Sequence, residues 1–448
     1  MSARPHVVVV GGGIAGIAAA LDLAEHADVT LIEAKDRLGG PVQTVEFAGR
    51  RVDTGPDSFL ARRPEMIDLC RRLGVGDGLV APATVEAAVW SRGAVRKLPT
   101  GLVLGVPRST KGLAESGIVS RTGVLRAALD RVLPRTNVGD DIGVGDLVRR
   151  RFGAEVHERL VDPLLGGIHA GRSELLSAAV AAPQLLEAAR GARSLMEALP
   201  APPPSTDPVF LTVPTGLGDV IDAAQRALIA AGVTIRLATV VDDLDSLVAD
   251  GVVLATPAPV TSRLVEAIAP DAADALSSIT YASVVLTLLS YPSDATSAPF
   301  TMSGFLVPRP EKRLMTAASW SSSKWAHHRD GGTELVRASV GRIDDHRHED
   351  LDDDAIVAAV HRELVEATGL RADGPTNATV NRWPHSLPQF KVGHLKLAQR
   401  AHASAAAAAR PLALAGSAYE GLGLPACVAS GRAAAAKVLL ALGVTAAR

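Results

Sequence analysis

The sequence predicts an α/β protein in which a parallel-sheet domain is interleaved with an α+β domain and a mainly helical subdomain. Three observations predict it. A β-branched run near the N-terminus feeds a glycine-rich turn and an apolar helix, strand-like segments of the same kind return far downstream, and the stretch between them changes to helical patterning. At 448 residues the chain exceeds the roughly 250–300 at which one hydrophobic core stops growing, so several domains are required.

Composition narrows the function classes. Hydrophobic residues make up 47% and charged ones 21%, as in ordinary globular chains, but only 3% is aromatic, so binding surfaces must be largely aliphatic. A formal charge of -2 gives no electrostatic reason to seek a polyanion, and no nucleic-acid partner is expected. Cys70 and Cys427 are the two cysteines, too few for a disulfide framework or a Cys-only zinc site; a reducing, cytoplasmic setting is expected. His6 to Val10 has no basic n-region or cleavage site, and apolar tracts such as Val284 to Leu289 fall short of the roughly 20 residues of a bilayer span. At most peripheral membrane contact is expected.

The first element is the strand Val7 to Val10, followed by "GGGIAGIAAALDLAEH", in which Gly11, Gly13 and Gly16 form G-x-G-x-x-G around Gly12. Strand, turn and helix are the context a Rossmann-type fold requires: the first glycine makes the turn, the second admits a pyrophosphate, the third lets helix and sheet pack closely, and the helix N-terminus faces the phosphates. A second strand, Val29 to Ile32, ends at Glu33, where a carboxylate can accept from ribose hydroxyls and disfavours a 2′-phosphate. A dinucleotide is therefore expected. The continuation "EAKDRLGGPVQT", with Arg37, Gly39 and Gly40, resembles the glutathione-reductase and amine-oxidase-type flavoproteins, and that resemblance makes FAD the expected cofactor. Next comes "VDTGPDSFLARRPEM", where Gly55, Pro56, Asp57 and Ser58 make a tight turn before a short helix over Met66 to Leu73. Glycine permits close approach, proline fixes φ, and Asp and Ser bond locally to the backbone, giving a rigid edge against which a flat ring could lie.

The extended stretch "DTGPDSFLARRPEMIDLCRRLG" resembles the bacterial coproporphyrinogen and protoporphyrinogen oxidases of haem biosynthesis, and the likeness runs from His6 to Leu439 with gaps in the helical middle. No second strand-bounded G-x-G-x-x-G is present, so a nicotinamide nucleotide has no obvious site, and dioxygen or a diffusible acceptor is the expected oxidant. Strand-like segments at Thr234 to Val241, Val252 to Ala255 and Leu412 to Ala415 return the chain to the nucleotide fold. The expected division is 1–60, 206–265 and 396–448 for the FAD-binding domain, 61–101 and 266–395 for the substrate-binding domain, and 102–205 for the helical subdomain. The proline-rich "LPAPPPSTDP" from Leu199 to Pro208 reads as a loop.

Further elements follow in order. "LTVPTGLGDVIDAAQRALIAAG" is a turn and an amphipathic helix, and the strand after it leads to Val241, which by resemblance lies beside the adenine. "SSSKWAHHRD" contains the family's Lys-Trp pair, here Lys324 and Trp325; His327 and His328 point apart as neighbours, lack a carboxylate at ligand spacing, and read as a solvated turn, so no metal is expected. "DDHRHEDLDDDAIV" is a charged surface loop in which an Asp caps a helix starting near Asp354. At the C-terminus, "NRWPHSLPQFKVGHL" and "PLALAGSAYEGLGLPACVASGRAAAAKVL" resemble the same family. A helix beginning near Ala426 to Val428 would direct its N-terminus at a flavin and stabilise the negative charge that develops on reduction.

The resemblance implies cofactor contacts at Gly11, Gly12, Gly13, Gly16, Glu33, Ala34, Gly40, Gly55, Pro56, Asp57, Ser58, Val241, Trp383, Leu424, Pro425 and Ala426. It implies three successive two-electron removals from a porphyrinogen, with flavin N5 as acceptor and peroxide as by-product; the cofactor carries the reactivity, and no acid-base residue is nominated. Arg62, Arg63 and Lys324 are candidates for holding propionates, and His169 stands where the family's "GIYAG" has Tyr. Other departures are Ala426, where an Asp is common, and Val103, where protoporphyrinogen oxidases of eukaryotic type have Arg. That loss leans toward coproporphyrinogen III over protoporphyrinogen. Handover of product to a ferrochelatase is left open. An FAD amine oxidase and a non-catalytic flavin- or porphyrin-binding module are the rival readings.

Overall fold

The strand His6–Val10 lies at the centre of a five-stranded parallel sheet whose order is Leu412–Leu414, Gly251–Leu254, His6–Val10, Asp28–Ile32, Thr234–Arg236. The structure is a computed structural model and describes residues 4–200, 207–296 and 300–444; most of the proline-rich stretch therefore lies outside the described residues. Both faces of the sheet are covered, which is why its strands read as continuous apolar runs. Val7 and Val9 face one core, with Leu31 and Val253, while Val8 and Val10 face the other, with Val252 and Leu254. The first core takes the helices Ile14–Leu23 and Leu424–Ala441; the second takes Ala258–Val265, Pro270–Ser277 and His394–Ala406.

A seven-stranded mixed sheet forms the second unit, ordered Asn377–Pro388, Tyr281–Pro292, Thr333–Val340, Met315–Trp320, Gly304–Leu306, Ala87–Ser91, Ala94–Lys97. The helix Asp353–Thr368 packs on it through Ile356, Val360 and Leu364. Its N-cap is Asp352, which accepts from the Ala355 N–H at 2.8 Å, as a capping Asp should. A further core, built on Leu147, Phe152, Leu165 and Leu185, holds together the helices between Thr110 and Ala198. The chain is thus an α/β molecule with interleaved units.

Several expectations need correction. Phe59–Leu60 pairs with Phe210–Leu211, and the helix Pro64–Arg72 gives Met66, Leu69 and Cys70 to the nucleotide-side core, so the chain leaves that unit well after residue 60. Pro270–Ser277 packs in the core under the parallel sheet, not with the second sheet as the 266–395 division has it. The strand expected over Thr234 to Val241 stops at Arg236, because its partner strand ends at Ile32 and Ala238 turns the chain with φ +47°. The helix expected near Ala426 begins at Leu424 and runs 18 residues with mean hydropathy 1.3, long and apolar enough by composition to cross a membrane, unlike the short tracts noted above. Half of it is buried inside the molecule, and a Cβ added to its Gly431 would lie 2.1 Å from the carbonyl oxygen of Ala15; the small residue lets two helices pack backbone to backbone.

Candidate functional site

The glycine turn after the first strand has one closed side and one open side. A Cβ on Gly16 would sit 1.8 Å from the Gly11 carbonyl oxygen, whereas one on Gly13 would meet nothing within 4 Å. Gly16 is therefore required by the protein's own packing, and Gly13 leaves room for something the chain does not supply. Glu33 closes the turn: Oε2 accepts from the Gly12 N–H at 2.6 Å and Oε1 from the Lys35 N–H at 2.9 Å, leaving further lone pairs for hydroxyl donors. Arg37 donates to the carbonyls of Gly40 (2.6 Å) and Leu38 (3.0 Å) and to Gln43, so its charge fixes the loop rather than facing a ligand. Ala238 and Thr239 donate to the carbonyls of Lys35 and Glu33, which brings the Val241 segment alongside Glu33 and Ala34.

The turn Thr54–Ser58 is held from four directions. A Cβ on Gly55 would lie 1.9 Å from the Pro41 carbonyl oxygen, so only glycine fits. Trp383 Nε1 donates to the Thr54 carbonyl at 2.9 Å, and Arg337 donates to the Gly55 carbonyl at 2.5 Å. Asp57 Oδ2 accepts from Lys324 Nζ at 2.8 Å, Trp325 Nε1 at 3.3 Å and Arg337 at 2.9 Å, while Oδ1 accepts from the Ser58 hydroxyl at 3.0 Å. Burial opposes the charge on Asp57, but Lys324 and Arg337 outweigh it and hold the carboxyl far below the usual carboxylate range. Nearby Asp53 accepts from Thr44 at 2.5 Å and from the Leu217 N–H at 3.0 Å; burial pushes its carboxyl up to about 6. A small crevice bounded by Asp53, Asp57, Trp325, His328 and Arg337 lies behind the turn.

His328 corrects the solvated-turn expectation. It is buried, its Nε2 lies 3.1 Å from the Arg51 carbonyl, and burial pulls its imidazole down to about 4; being adjacent to His327 in sequence says nothing about which one turns inward. Ligand-type atoms of His157, Asp162 and Glu174 also gather in the helical unit. They are engaged by Ser173, Arg309 and Arg172, cations and hydroxyls that compete with a metal ion.

At the other end of the chain Gly423 caps the helix Leu424–Ala441, whose first turn is Leu424, Pro425 and Ala426. Its early N–H groups have no intrahelical acceptor, and burial of Cys427 pushes that thiol up to about 12, leaving it un-ionised and a poor nucleophile. The proposed propionate holders are not gathered in one place. Arg62 is exposed, with no partner among the described residues; Arg63 pairs with Glu65 at 3.0 Å; Lys324 is engaged by Asp57. His169 ends a helix with its ring edge-on to Phe390 at 5.6 Å, and burial pulls it down to about 4. Arg337 went unread in the sequence. The signal was there, as a single basic residue at an interior, buried position of the strand Thr333–Val340.

A family model described as flavin containing amine oxidoreductase matches residues 14–439. Coproporphyrinogen III oxidase of Bacillus subtilis is 30% identical over 97% of this chain and 98% of its own length, and that of Mycobacterium leprae is 35% identical over 97% and 98%. A solved structure from Exiguobacterium sp. 255-15, described provisionally as a protoporphyrinogen oxidase, superposes with a TM-score of 0.88 at 29% identity, covering 98% of this chain and 99% of that one. The chain belongs to the flavin-containing amine oxidoreductase family.

Proposed function

We propose that this chain is an FAD-dependent oxidase converting coproporphyrinogen III to coproporphyrin III, with dioxygen as acceptor and hydrogen peroxide as by-product. The observation that carries the reading is the near full-length likeness to two bacterial coproporphyrinogen III oxidases, which spans all three segments of the site. Gly11, Gly12, Gly13, Gly16, Glu33, Ala34 and Gly40 would hold the nucleotide, Val241 would flank its adenine, and Gly55, Pro56, Asp57, Ser58, Trp383, Leu424, Pro425 and Ala426 would hold the ring end. The open space at Gly13 beside a closed Gly16 fits a pyrophosphate. FAD, when bound, supplies two-electron acceptance and reoxidation by dioxygen.

The chain's own residues bind and orient. Free N–H groups at the start of the helix Leu424–Ala441 favour negative charge on the ring they face. The Lys324 and Arg337 cations behind the turn are balanced by Asp57 and, above about pH 6, by Asp53, so they fix the turn and add no net positive charge beneath the ring. The four propionates of coproporphyrinogen require cations, and Arg62 is exposed and uncommitted for one of them. A water-accessible setting, in the cytoplasm, with product passed to a ferrochelatase, completes the proposal. The amine-oxidase alternative is disfavoured because all three tyrosines are engaged elsewhere: Tyr419 and Tyr281 pack under the parallel sheet, and Tyr291 lies in the second unit's core.

Aerobic incubation with coproporphyrinogen III, followed by porphyrin fluorescence and peroxide release, tests the reading. Porphyrin appearing with three equivalents of peroxide supports it. Faster turnover of protoporphyrinogen, the reading the Exiguobacterium structure's description favours, would move the substrate assignment; bleaching by amines alone, or no bleaching at all, would reject the oxidase.

A further inference from the structure

We propose that Arg337 is a positioning residue that locks the Thr54–Ser58 turn and the Lys324 ammonium into one rigid unit against the flavin; the inference rests on the FAD reading above. A single guanidinium reaches two points of the turn, the Gly55 carbonyl at 2.5 Å and Asp57 Oδ2 at 2.9 Å. The same Asp57 oxygen receives Lys324 Nζ at 2.8 Å. Arg337 thus controls the backbone position of the turn and shares the anion that orients the lysine. Only a planar fork does both at once; an ammonium is a point donor on a flexible stem.

The placement fits the role. Arg337 stands on a central strand of the seven-stranded sheet, paired on one side with Leu288 and on the other with Ser319, so its Cα is fixed by two ladders. It is 9% exposed, which denies water the chance to replace it. Its Nε has no acceptor among the described residues, so the guanidinium keeps one donor in reserve. An arginine whose purpose was solubility would sit on an edge strand or a loop; this one spans from the second unit to the turn of the first, where a loss of rigidity would be felt by any ring lying on that turn.

The test compares Arg337→Met and Arg337→Lys with wild-type holoenzyme. Measurements are the melting temperature of the apoprotein, FAD affinity by titrating apoprotein, the flavin midpoint potential, and kcat and KM for coproporphyrinogen III. For Arg337→Met we expect FAD affinity to fall at least tenfold and the potential to shift negative. For Arg337→Lys, which keeps the charge and folds, we expect the potential to be largely restored, affinity still reduced several-fold, and kcat lowered with KM unchanged, since a buried residue behind the turn does not touch substrate. If Arg337→Met fails to fold, Arg337→Lys alone decides. A Lys variant with wild-type affinity, potential and kcat overturns the proposal, as does a Met variant that alters the melting temperature but neither affinity nor potential. Failure of wild-type protein to take up FAD would instead sink the functional reading itself.

Discussion

The glycine turn at Gly11–Gly16 and the turn at Thr54–Ser58 are both narrow and both border the candidate cofactor site, yet they are built differently. The first is made by backbone and one nearby carboxylate: its shape follows from what lacks a Cβ, and its contacts, Gly12 to the Glu33 side chain and Gly39 to the Gly12 carbonyl, lie within about 30 residues of sequence. The second is held by side chains from elsewhere, with Lys324 and Arg337 separated from Asp57 by well over 200 positions. Backbone-made sites tolerate no substitution at the closed positions and are indifferent at the open ones. A side-chain-made site instead fails by degrees, as each charge is left without its partner.

The largest expected effect comes from breaking the closed side of the first turn. Gly16→Val places atoms on the Gly11 carbonyl, and we expect little folded protein and no flavin, checked by yield and absorbance after purification. Gly13→Val sharpens the contrast: apoprotein melting should stay within about 2 °C of wild type, since surface-like changes move stability by little, while FAD affinity falls at least a hundredfold in a titration. Equal losses of stability in the two variants would show that both positions are merely structural.

In the second turn, Asp57→Ala leaves Lys324 and Arg337 facing each other without an anion. Removing one partner of a largely buried charge cluster costs about 3–5 kcal/mol, readable by urea denaturation; Asp57→Asn should recover part of this because its amide oxygen still accepts. Smaller effects appear as pH dependence. Asp53, with a folded value of about 6, keeps a proton that the unfolded chain releases, so its contribution falls as pH rises from about 4 to 6, by up to about 3 kcal/mol. Asp53→Asn should flatten that part of the stability curve. His169 works in the opposite sense: its folded value of about 4 means that the unfolded chain protonates first, and stability declines as pH falls below about 6.5, by about 2 kcal/mol at pH 5. His169→Phe should remove this share of the decline and leave the share of His328, which has the same folded value; a curve unchanged by the substitution would mean that the His169 imidazole is hydrated in solution.

The same contrast explains what could be read in advance. The nucleotide turn was legible because its determinants are short-range and positional: a strand, three glycines at fixed spacing, and a carboxylate at the end of the next strand. The capping Asp352 and the helix after Gly423 were legible for the same reason. The Gly55–Ser58 turn was visible as a turn, but its rationale was not, because nothing local announces that Pro41 lies against Gly55 or that Arg337 reaches it. Long-range partners are equally invisible locally. Nothing near Lys324 in sequence signals that Asp57 holds it, and nothing near His328 signals that the Arg51 carbonyl lies beside it. Unit boundaries slipped because helices such as Pro64–Arg72 and Pro270–Ser277 carry apolar faces that fit either core, and periodicity does not say which.

The sheet order carries one more consequence. The outermost strand on one side, Leu412–Leu414, and the helix that presses Gly431 onto Ala15 follow the other four strands of this sheet in the sequence. During synthesis the earlier strands must wait, exposed or chaperoned, for this neighbour, so the sheet closes only once a strand distant in sequence has been made.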